Sequence, residues 1–595
     1  MVNRRVARVA LLVAALLGAC SEDKRVVHGP PSSSSGDGSA PAGNGDYPPG
    51  PYELKTLGIV PPGMTFEGLD GTVSIDALYD PKAESPKLAV IRTSAAWCGT
   101  CLWHASHTKR LLEDPRFEGR LTLVDLLVAD RDNVAADRNA LTEWRSKIDA
   151  PQTLAIDPHY SFGPALLSRS PLPEYVFIDT RTMKILRTAS NPGPADLTTK
   201  IAISLAEIDG TKKPPVEAPP LTDGFTEDQM DLIRGMKIDE SFAPPPDPTN
   251  AVADHPKAVE LGKLLFNDTK LSPSGKVSCG TCHDQGLELA DGKAQSEGVA
   301  KVDRNSPGVA LSAHSRWQFW DGRADTLWAQ ALGPFEDAKE FGGSRLFVAH
   351  RIADAYAAQY AELFDGDLKA IGALPANGKP GDADYDALSA ADKEKVTRVF
   401  VNVGKSIAAF ERAIRVKPNM LDAYAGGDLT ALSKAQKTSL RNFMVNGCAQ
   451  CHWGPRLTDD AFHVLRFPTG RQDKKADRGR ADGLTRLAAS AFRASSTWSD
   501  APTTAKTFDV ATAPAFEGAF KTPTLRGVAT SAPFGHGGTV LSLGEVAATY
   551  GTRGINDSDP RAVGHTEDWV PIFDQSIVLD LPTFLEVLTA PIVLP

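Results

Sequence analysis

Cysteine, methionine and histidine are scarce in this sequence. It has 7 cysteines, 7 methionines and 12 histidines in 595 residues. Six of the cysteines form three Cys-x-x-Cys pairs and the seventh stands alone, which leaves none for a separate disulfide framework. A chain of this length can bury several hydrophobic cores and does not need such a framework. There is no methionine after residue 444, and no histidine between residues 283 and 314.

The sequence also lacks an excess of basic residues. Lysine and arginine number 64 against 74 aspartates and glutamates, so the net charge is −10. This balance argues against nucleic acid as a main partner. Hydrophobic residues make up 42% and charged residues 23% of the chain, which is typical of a soluble globular protein. The length predicts about three or four domains.

The apolar run near the N-terminus is too short to span a bilayer as a mature helix. It covers residues 9–17 and follows basic residues at 4, 5 and 8, an order typical of an export signal. The run ends in Leu-Gly-Ala-Cys20, which resembles the lipobox of bacterial lipoproteins. The resemblance implies cleavage before Cys20 and a lipid anchor on its sulfur. A plain secretory peptide is the alternative. Both place the mature chain outside the cytoplasm, and the anchor would hold it at the periplasmic side of the cell envelope.

Proline-rich segments divide the chain into predicted domains. After a signal peptide at 1–20, residues 21–50 are rich in Ser, Gly and Pro and indicate a flexible tether. Proline runs within 211–250 predict an extended linker. The remaining segments are predicted to be an α/β domain at 51–210 and two further domains at 251–430 and 431–595.

The first Cys-x-x-Cys pair lies between a predicted strand and a predicted helix. Residues 88–91 form a short apolar run, Cys98 and Cys101 follow, and an amphipathic stretch continues to residue 112. The N-terminus of a helix stabilises a thiolate and lowers the pKa of a cysteine there. We therefore expect Cys98 to be an exposed nucleophile and Cys101 the resolving thiol of a redox-active pair.

This arrangement resembles the thioredoxin family, specifically its membrane-tethered periplasmic thiol–disulfide proteins. Further buried strands are predicted at 121–128 and 175–178, and Pro173 matches the cis-proline of the family. A metal site with His104 and His107 is an alternative. Three-residue steps along a helix, however, place the first cysteine and His107 on opposite faces, and two ligands do not make a structural zinc site. A merely structural cysteine pair is the third possibility.

Two Cys-x-x-Cys-His motifs predict the covalent attachment of two haem c groups. In such a motif two thiols add to the haem vinyl groups, and the adjacent histidine reaches the iron. Zinc is the alternative, but no spare cysteines exist to complete a zinc site. The residues are Cys279, Cys282 and His283 in the first motif, and Cys448, Cys451 and His452 in the second.

The sequence around these motifs resembles the bacterial di-haem cytochrome c peroxidase family, which includes the MauG enzymes. The likeness runs through nearly all of 255–595. It implies a multidomain fold in which two mainly α cytochrome c-like haem domains follow the α/β thioredoxin-like domain. The segments that carry it are Leu261–Phe266, Arg304–Pro307, Phe319–Arg323, Leu457–Asp459 and Lys521–Arg526.

The resemblance assigns the reaction with hydrogen peroxide to the first haem. Gln330, Pro334 and Glu340 would line the pocket beside it, where a carboxylate can relay a proton between the peroxide oxygens. The alternative for Glu340 is a solvated surface charge. Trp320 falls between the two haems, where an indole can carry electrons; it can equally be a core aromatic, and both can hold.

Two positions depart from the ordinary peroxidases. Their second haem has a methionine ligand, whereas Tyr550 stands at the aligned position here, as in MauG-type enzymes. A phenolate should lower the potential of that haem. The peroxidases also block the first haem with a loop histidine, which this chain lacks. The first haem is therefore expected to be five-coordinate or water-bound without activation, and His314 to be structural.

A calcium ion between the haem domains is also implied by the resemblance. Asn305, Ser531 and Pro533 match its ligands, the last two through backbone carbonyls, and waters would complete the shell.

The implied function is a lipid-anchored periplasmic di-haem peroxidase with an accessory thiol–disulfide module. It would reduce hydrogen peroxide with electrons from a c-type cytochrome or a similar small donor. A MauG-like enzyme is the alternative, in which the two haems share a high-valent state and oxidise a protein or organic substrate. A non-catalytic electron-transfer or sensor protein, with the first haem closed by two strong ligands, is another. Thiol chemistry as the main activity is the last.

Overall fold

The computed structural model describes most of the chain. Cys20 and the rest of the predicted signal peptide lie outside the described residues, as does the tether up to residue 46. Within the described part, no helix is both long and apolar enough to cross a membrane. The described residues are 47–82, 88–149, 151–163, 171–211, 221–366, 368–471, 473, 475–502, 506, 508–551, 559–567, 570 and 575–595.

A mixed seven-stranded sheet forms the centre of the first domain, in the order β2-β1-β5-β4-β3-β6-β7. Strand β3 (Leu88–Ala95) pairs parallel with β4 (Leu121–Ala129) and antiparallel with β6 (Glu174–Asp179). Nearly all their side chains are buried, which explains the continuous apolar runs that predicted these strands. The other strands are β1 (Thr65–Gly68), β2 (Gly71–Ser74), β5 (Thr153–Ile156) and β7 (Lys184–Ser190).

The Cys-x-x-Cys pair begins the first helix of this domain. Helix α1 (Gly99–Ser106) follows β3, and Cys98 is its N-cap, with the sulfur accepting a bond from the Cys101 N–H at 3.1 Å. The Leu172–Pro173 peptide is cis and lies beside the pair, since the Thr100 hydroxyl donates to the Leu172 carbonyl. Together with the sheet, these features make the domain thioredoxin-like. The other helices are α2 (Thr108–Leu112), α3 (Arg138–Ser146) and α4 (Pro194–Asp209).

The predicted linker at 211–250 contains a packed helix. Helix α5 (Glu227–Arg234) is closed at its start by a Thr226–Gln229 capping box. Its apolar side chains are buried with Phe443 and Phe584 of the second haem domain. The structure therefore differs from an extended spacer here, because an amphipathic helix this short is stabilised by packing rather than by its own propensity.

Three helices form the core of the first haem domain. Helix α12 (Ala390–Ala413) packs against α6 (Pro256–Asn267) and α8 (Leu327–Glu336) around a large apolar cluster. Gly262 of α6 faces the Ser406 carbonyl so closely that no side chain fits between the helices. The remaining helices are α7 (Cys279–Cys282), α9 (Arg345–Ala355), α10 (Ala357–Ala361) and α11 (Ala383–Asp386).

The second haem domain is also mainly helical. Helices α14 (Lys434–Val445), α17 (Leu543–Gly551) and α18 (Gln575–Leu585) pack together, with the Phe443 and Phe584 rings 5.1 Å apart. Helices α15 (Cys448–Cys451) and α16 (Arg480–Ala489) complete it. Helix α13 (Met420–Ala425) lies before the predicted boundary at residue 430, but its apolar side chains pack in the same cluster as Phe443 and Phe584. Two short ladders pair β8 (Arg415–Val416) with β11 (Ile592–Val593), and β9 (Phe462–His463) with β10 (Phe520–Lys521).

Candidate haem centres and dithiol site

Both haem attachment motifs open into one large cavity of about 770 Å³ between the two haem domains. The cavity is lined by residues of the first motif, residues of the second motif, and the distal residues predicted for the first haem. The predicted site residues found on its wall are Cys282, His283, Asn305, Trp320, Gln330, Pro334, Glu340, Cys448, Cys451, His452, Ser531, Pro533 and Tyr550. The fold thus assembles residues that are far apart in the sequence.

The histidine of each motif is held in the state that an iron ligand needs. His283 Nδ1 bonds the Leu289 carbonyl at 3.0 Å, and His452 Nδ1 bonds the Leu457 carbonyl at 3.0 Å. Burial lowers the pKa of both imidazoles, which keeps them neutral. A bond to Nδ1 fixes the tautomer and leaves Nε2 for a metal.

The cysteines of both motifs also fit covalent haem. All four sulfurs are unbridged thiols, and each pair is presented by one short helical turn, α7 or α15. Thiol pairs, neutral imidazoles and a shared, largely apolar cavity match the donor set of two c-type haems. The residues that would hold them are those of the two motifs, and the bound groups would supply two redox-active irons.

Glu340 lines the cavity beside the first motif, together with Gln330 and Pro334 of α8. Burial raises the pKa of Glu340 to about 7; the Arg323 guanidinium opposes this shift and Asp337 reinforces it. Arg323 stacks over the Phe319 ring at 3.5 Å. Glu340 is therefore a carboxyl that can hold or release a proton near neutral pH, and its position on the cavity wall argues against a purely solvated surface charge.

Trp320 and Asn305 are connected on the cavity wall. The Trp320 indole N–H donates to the Asn305 carbonyl at 2.9 Å, and the Asn305 amide nitrogen donates to the Lys293 carbonyl at 2.8 Å. Ser531 and Pro533 lie on the same wall. The calcium ion predicted at these three positions stays a prediction.

Tyr550 of α17 lies on the cavity wall beside the second motif, with its ring 5.9 Å from that of Phe467. Burial raises the pKa of Tyr550, and the neighbouring Cys451 and Cys448 sulfurs add to the shift. An iron would act in the opposite sense, because a bound cation stabilises the phenolate. His314 stacks on Phe242 at 4.5 Å and is absent from the described wall of the cavity, consistent with a structural role.

The structure corrects one prediction about the first Cys-x-x-Cys pair. Cys98 and Cys101 form a disulfide, and both are fully buried, so Cys98 is not an exposed nucleophile. The second haem domain covers it. His104 Nδ1 bonds the Tyr175 hydroxyl at 2.8 Å, and burial lowers the pKa of His104 to about 3. The disulfide and this bond occupy the two cysteines and His104 of the alternative metal site, and His107 Nδ1 bonds the Trp103 carbonyl at 2.8 Å.

A buried cluster beside the second motif was not anticipated. His463 lies between Glu567, at 2.7 Å, and Asp459, at 3.1 Å. Burial opposes a charge on this ring, but Glu567 and the other acidic neighbours outweigh it and raise the pKa of His463 well above its usual value. The Trp97 ring of the thioredoxin-like domain lies 4.7 Å away, edge-on. The four-residue spacing from Asp459 was visible in the sequence, whereas the contacts with Trp97 and Glu567 were not.

Known proteins resemble the part of the chain that contains the two haem motifs. The family model for di-haem cytochrome c peroxidase matches residues 256–430. Cytochrome c551 peroxidase of Pseudomonas aeruginosa is 31% identical over 297 residues, which cover 49% of this chain and 71% of that protein. The chain belongs to the di-haem cytochrome c peroxidase family. Methylamine utilization protein MauG of Methylorubrum extorquens is 30% identical over 300 residues, 50% of this chain and 69% of that protein.

Solved structures resemble the two parts of this di-haem family member separately. The diheme peroxidase BthA of Burkholderia thailandensis aligns with 58% of this chain and 89% of its own, at 21% identity and a TM-score of 0.42. A putative thiol:disulfide interchange protein DsbE of Chlorobium tepidum aligns with 26% of this chain and 96% of its own, at 16% identity and a TM-score of 0.20. The two curated relatives identify the chain as a di-haem oxidoreductase of the peroxidase and MauG family. Its first domain is thioredoxin-like by its own sheet, dithiol and cis-proline.

Proposed function

We propose that this protein reduces hydrogen peroxide to water at the first haem motif, with electrons that enter through the second. The observation that carries the proposal is the shared cavity, whose lining includes His283, Glu340 and Gln330 of the first haem domain together with the second motif. Trp320 also lines this cavity and offers an aromatic step between the two motifs. A c-type cytochrome is the proposed donor.

Glu340 would act as the proton relay. As a carboxylate it accepts a proton from one oxygen of peroxide, and as an acid it returns that proton to the other oxygen, which leaves as water. A pKa near 7 suits both halves of this cycle. Gln330 would orient the peroxide through its amide.

Steady-state turnover with hydrogen peroxide and a reduced c-type cytochrome tests the proposal. We expect oxidation of two cytochromes per peroxide without prior reductive activation, since no histidine stands between residues 283 and 314 to block the first iron. A negligible rate with every one-electron donor would contradict it.

A MauG-like reaction is the second candidate, and Tyr550 favours it. A tyrosine beside the second motif, in a chain without methionine after residue 444, suits a haem of low potential that stores oxidising equivalents. This candidate predicts slow cytochrome turnover but rapid peroxide-driven oxidation of an added protein or phenolic substrate.

The cellular placement is also a proposal. We propose that Cys20 carries a lipid that holds the protein at the periplasmic face of the envelope. Replacement of Cys20 by serine should release the protein from the membrane fraction.

We also propose that a calcium ion is bound at Asn305, Ser531 and Pro533. Metal analysis before and after treatment with a calcium chelator tests for this ion.

A further inference from the structure

The disulfide of the thioredoxin-like domain is enclosed by the second haem domain. Cys98 and Cys101 are both 0% exposed. The Trp453 ring lies against the backbone between them, because a Cβ atom on Gly99 would be 2.6 Å from a ring carbon. Trp453 directly follows the iron-binding histidine of the second motif. The dithiol is thus enclosed beside a haem attachment site.

The cis-proline loop contacts the second haem motif. The Leu172 N–H donates to the Gln450 side-chain oxygen at 2.9 Å, and Gln450 lies between the two haem-attaching cysteines. Pro171 packs on Gly447, where a Cβ atom would lie 2.8 Å from the proline ring. Through both contacts, the face of the thioredoxin-like domain that carries the dithiol packs against α15 and not against solvent.

A packed route joins the dithiol to the haem-attaching sulfur. Trp97, which precedes Cys98, is 3% exposed and makes the edge-on contact with His463. The Cys451 sulfur lies within 4.8 Å of a ring nitrogen of His463. Cys451 also packs against the apolar cluster that contains Trp97 and Cys98. Trp97, His463 and Cys451 thus form one series of neighbouring side chains between the dithiol and the second haem motif.

We propose that Cys98 and Cys101 exchange electrons with the haem at Cys448 and Cys451, so that the protein reduces peroxide at the expense of a dithiol. This inference rests on the proposed function and adds a second electron source to it. The substrate class is a dithiol, small or protein-borne, which regenerates the Cys98–Cys101 thiols by thiol–disulfide exchange.

The reaction balances without any further reactant. Formation of the Cys98–Cys101 bond releases two electrons and two protons. One hydrogen peroxide consumes two electrons and two protons, its O–O bond breaks, and two waters form. The external dithiol then becomes a disulfide as it restores the two thiols. Because Cys98 is buried, neither peroxide nor the external dithiol reaches its sulfur in this docked arrangement. Exchange with the external dithiol therefore takes place while the domain is released from α15, and electron transfer to the haem takes place when it is docked.

The first test is a single turnover with the intact di-haem protein. The disulfide is reduced anaerobically with a phosphine, the phosphine is removed, and one equivalent of peroxide is added. Free thiols are then counted by alkylation and mass spectrometry. We expect two thiols to be lost per peroxide in the parent.

Thiol loss should be at least about 10-fold slower in Trp97→Leu, and Trp97→Phe should restore the parent rate. Peroxide turnover driven by reduced cytochrome should be unchanged in both variants. Equal thiol loss in Glu340→Gln would overturn the proposal, since it would indicate direct thiol oxidation.

The second test does not involve peroxide. A one-electron dye that reduces haem is titrated into the oxidised protein, and the electrons taken up are counted. The parent should accept two more electrons than Cys98→Ser/Cys101→Ser, because a disulfide is a two-electron couple. Equal uptake would overturn the inference. Absence of the haem at Cys448 and Cys451 from the serine variant would also overturn it, since the dithiol would then serve haem attachment.

The two arms separate this inference from the proposed function. Cytochrome-driven turnover in the parent, with equal electron uptake in parent and serine variant, refutes the dithiol route alone. Extra electron uptake in the parent, with no peroxide turnover from any donor, supports the electron route and refutes the proposed peroxidase.

Discussion

Glu340 shows how burial tunes one carboxyl for proton transfer. Its pKa, raised to about 7 by burial, makes the group half ionised near neutral pH. As a proton acceptor it is active only when ionised. The rate of reaction with peroxide should therefore rise with pH through about 7 and level off above it.

Glu340→Gln should abolish this pH dependence and slow the reaction at least about 100-fold, because an amide cannot relay a proton. Stopped-flow measurement of the reaction with peroxide between pH 5 and 9 checks both expectations. Glu394→Gln, which removes the same charge from an exposed site on α12, is the control and should keep the parent profile. A Glu340→Gln profile that still rises near pH 7 would assign the titration to another group.

Tyr550 offers a second test at a single residue. If its phenolate binds the second iron, Tyr550→Met should raise the midpoint potential of that haem, because a thioether donates less strongly. Spectroelectrochemistry measures the two haems separately. The exposed Tyr52→Phe variant is the control. Unchanged spectra and potentials in Tyr550→Met would show that Tyr550 is not a ligand.

Trp453 connects helices α1 and α5 through its indole ring. It lies between Gly99 at the start of α1 and Gly235 at the end of α5, and a Cβ atom on either glycine would be 2.6 Å from the ring. The indole N–H also donates to the Leu232 carbonyl at 3.0 Å. Both glycines therefore serve a close approach of the backbone to one side chain.

Alanine at either glycine should overpack this contact and cost about 1–3 kcal/mol. Gly99→Ala should also loosen the docking of α1 on α15, seen as faster hydrogen exchange in both helices. Gly372→Ala is a suitable control, since a Cβ atom there meets nothing within 4 Å. Parent-like exchange and melting temperature in Gly99→Ala would mean that Trp453 moves aside at no cost.

These elements also show how far local patterns reach. The apolar run at 88–91 and the Cys98–Cys101 pair predicted β3 and α1, because their signals are local. The prediction that Cys98 is exposed was wrong, because its burial depends on Trp453, which is hundreds of residues away in the sequence. Helix α5 was missed for the same reason, since its apolar face is stabilised by the second haem domain.

The haem site, too, was predictable where its signals are local and not where it depends on contacts between distant segments. The haem motifs were identified by their own spacing, and the distal residues by family resemblance. The partnership of His463 with Glu567 and Trp97 brings together three distant segments, and no spacing rule encodes it.

In the whole molecule, Asp132 ties the thioredoxin-like domain to the first haem domain. Its carboxylate accepts bonds from Arg316 at 3.0 and 2.9 Å and from the Trp317 indole at 2.8 Å. Asn133 adds a bond to Glu567 at 2.8 Å. The domain thus contacts both haem domains, which favours unfolding of the three as one unit.

Asp132→Ala should partly uncouple that unit. It removes three hydrogen bonds at once and leaves a partly buried guanidinium and an indole N–H without this acceptor, a loss of about 1–3 kcal/mol. Scanning calorimetry of the di-haem protein should show the thioredoxin-like domain melting as a separate transition, below a transition for the haem domains that remains at the parent temperature. Asp149→Ala is the control, because that carboxylate is fully exposed in the same domain. A single transition at the parent temperature in Asp132→Ala would show that apolar packing around Trp97 and Trp453 alone holds the domains together.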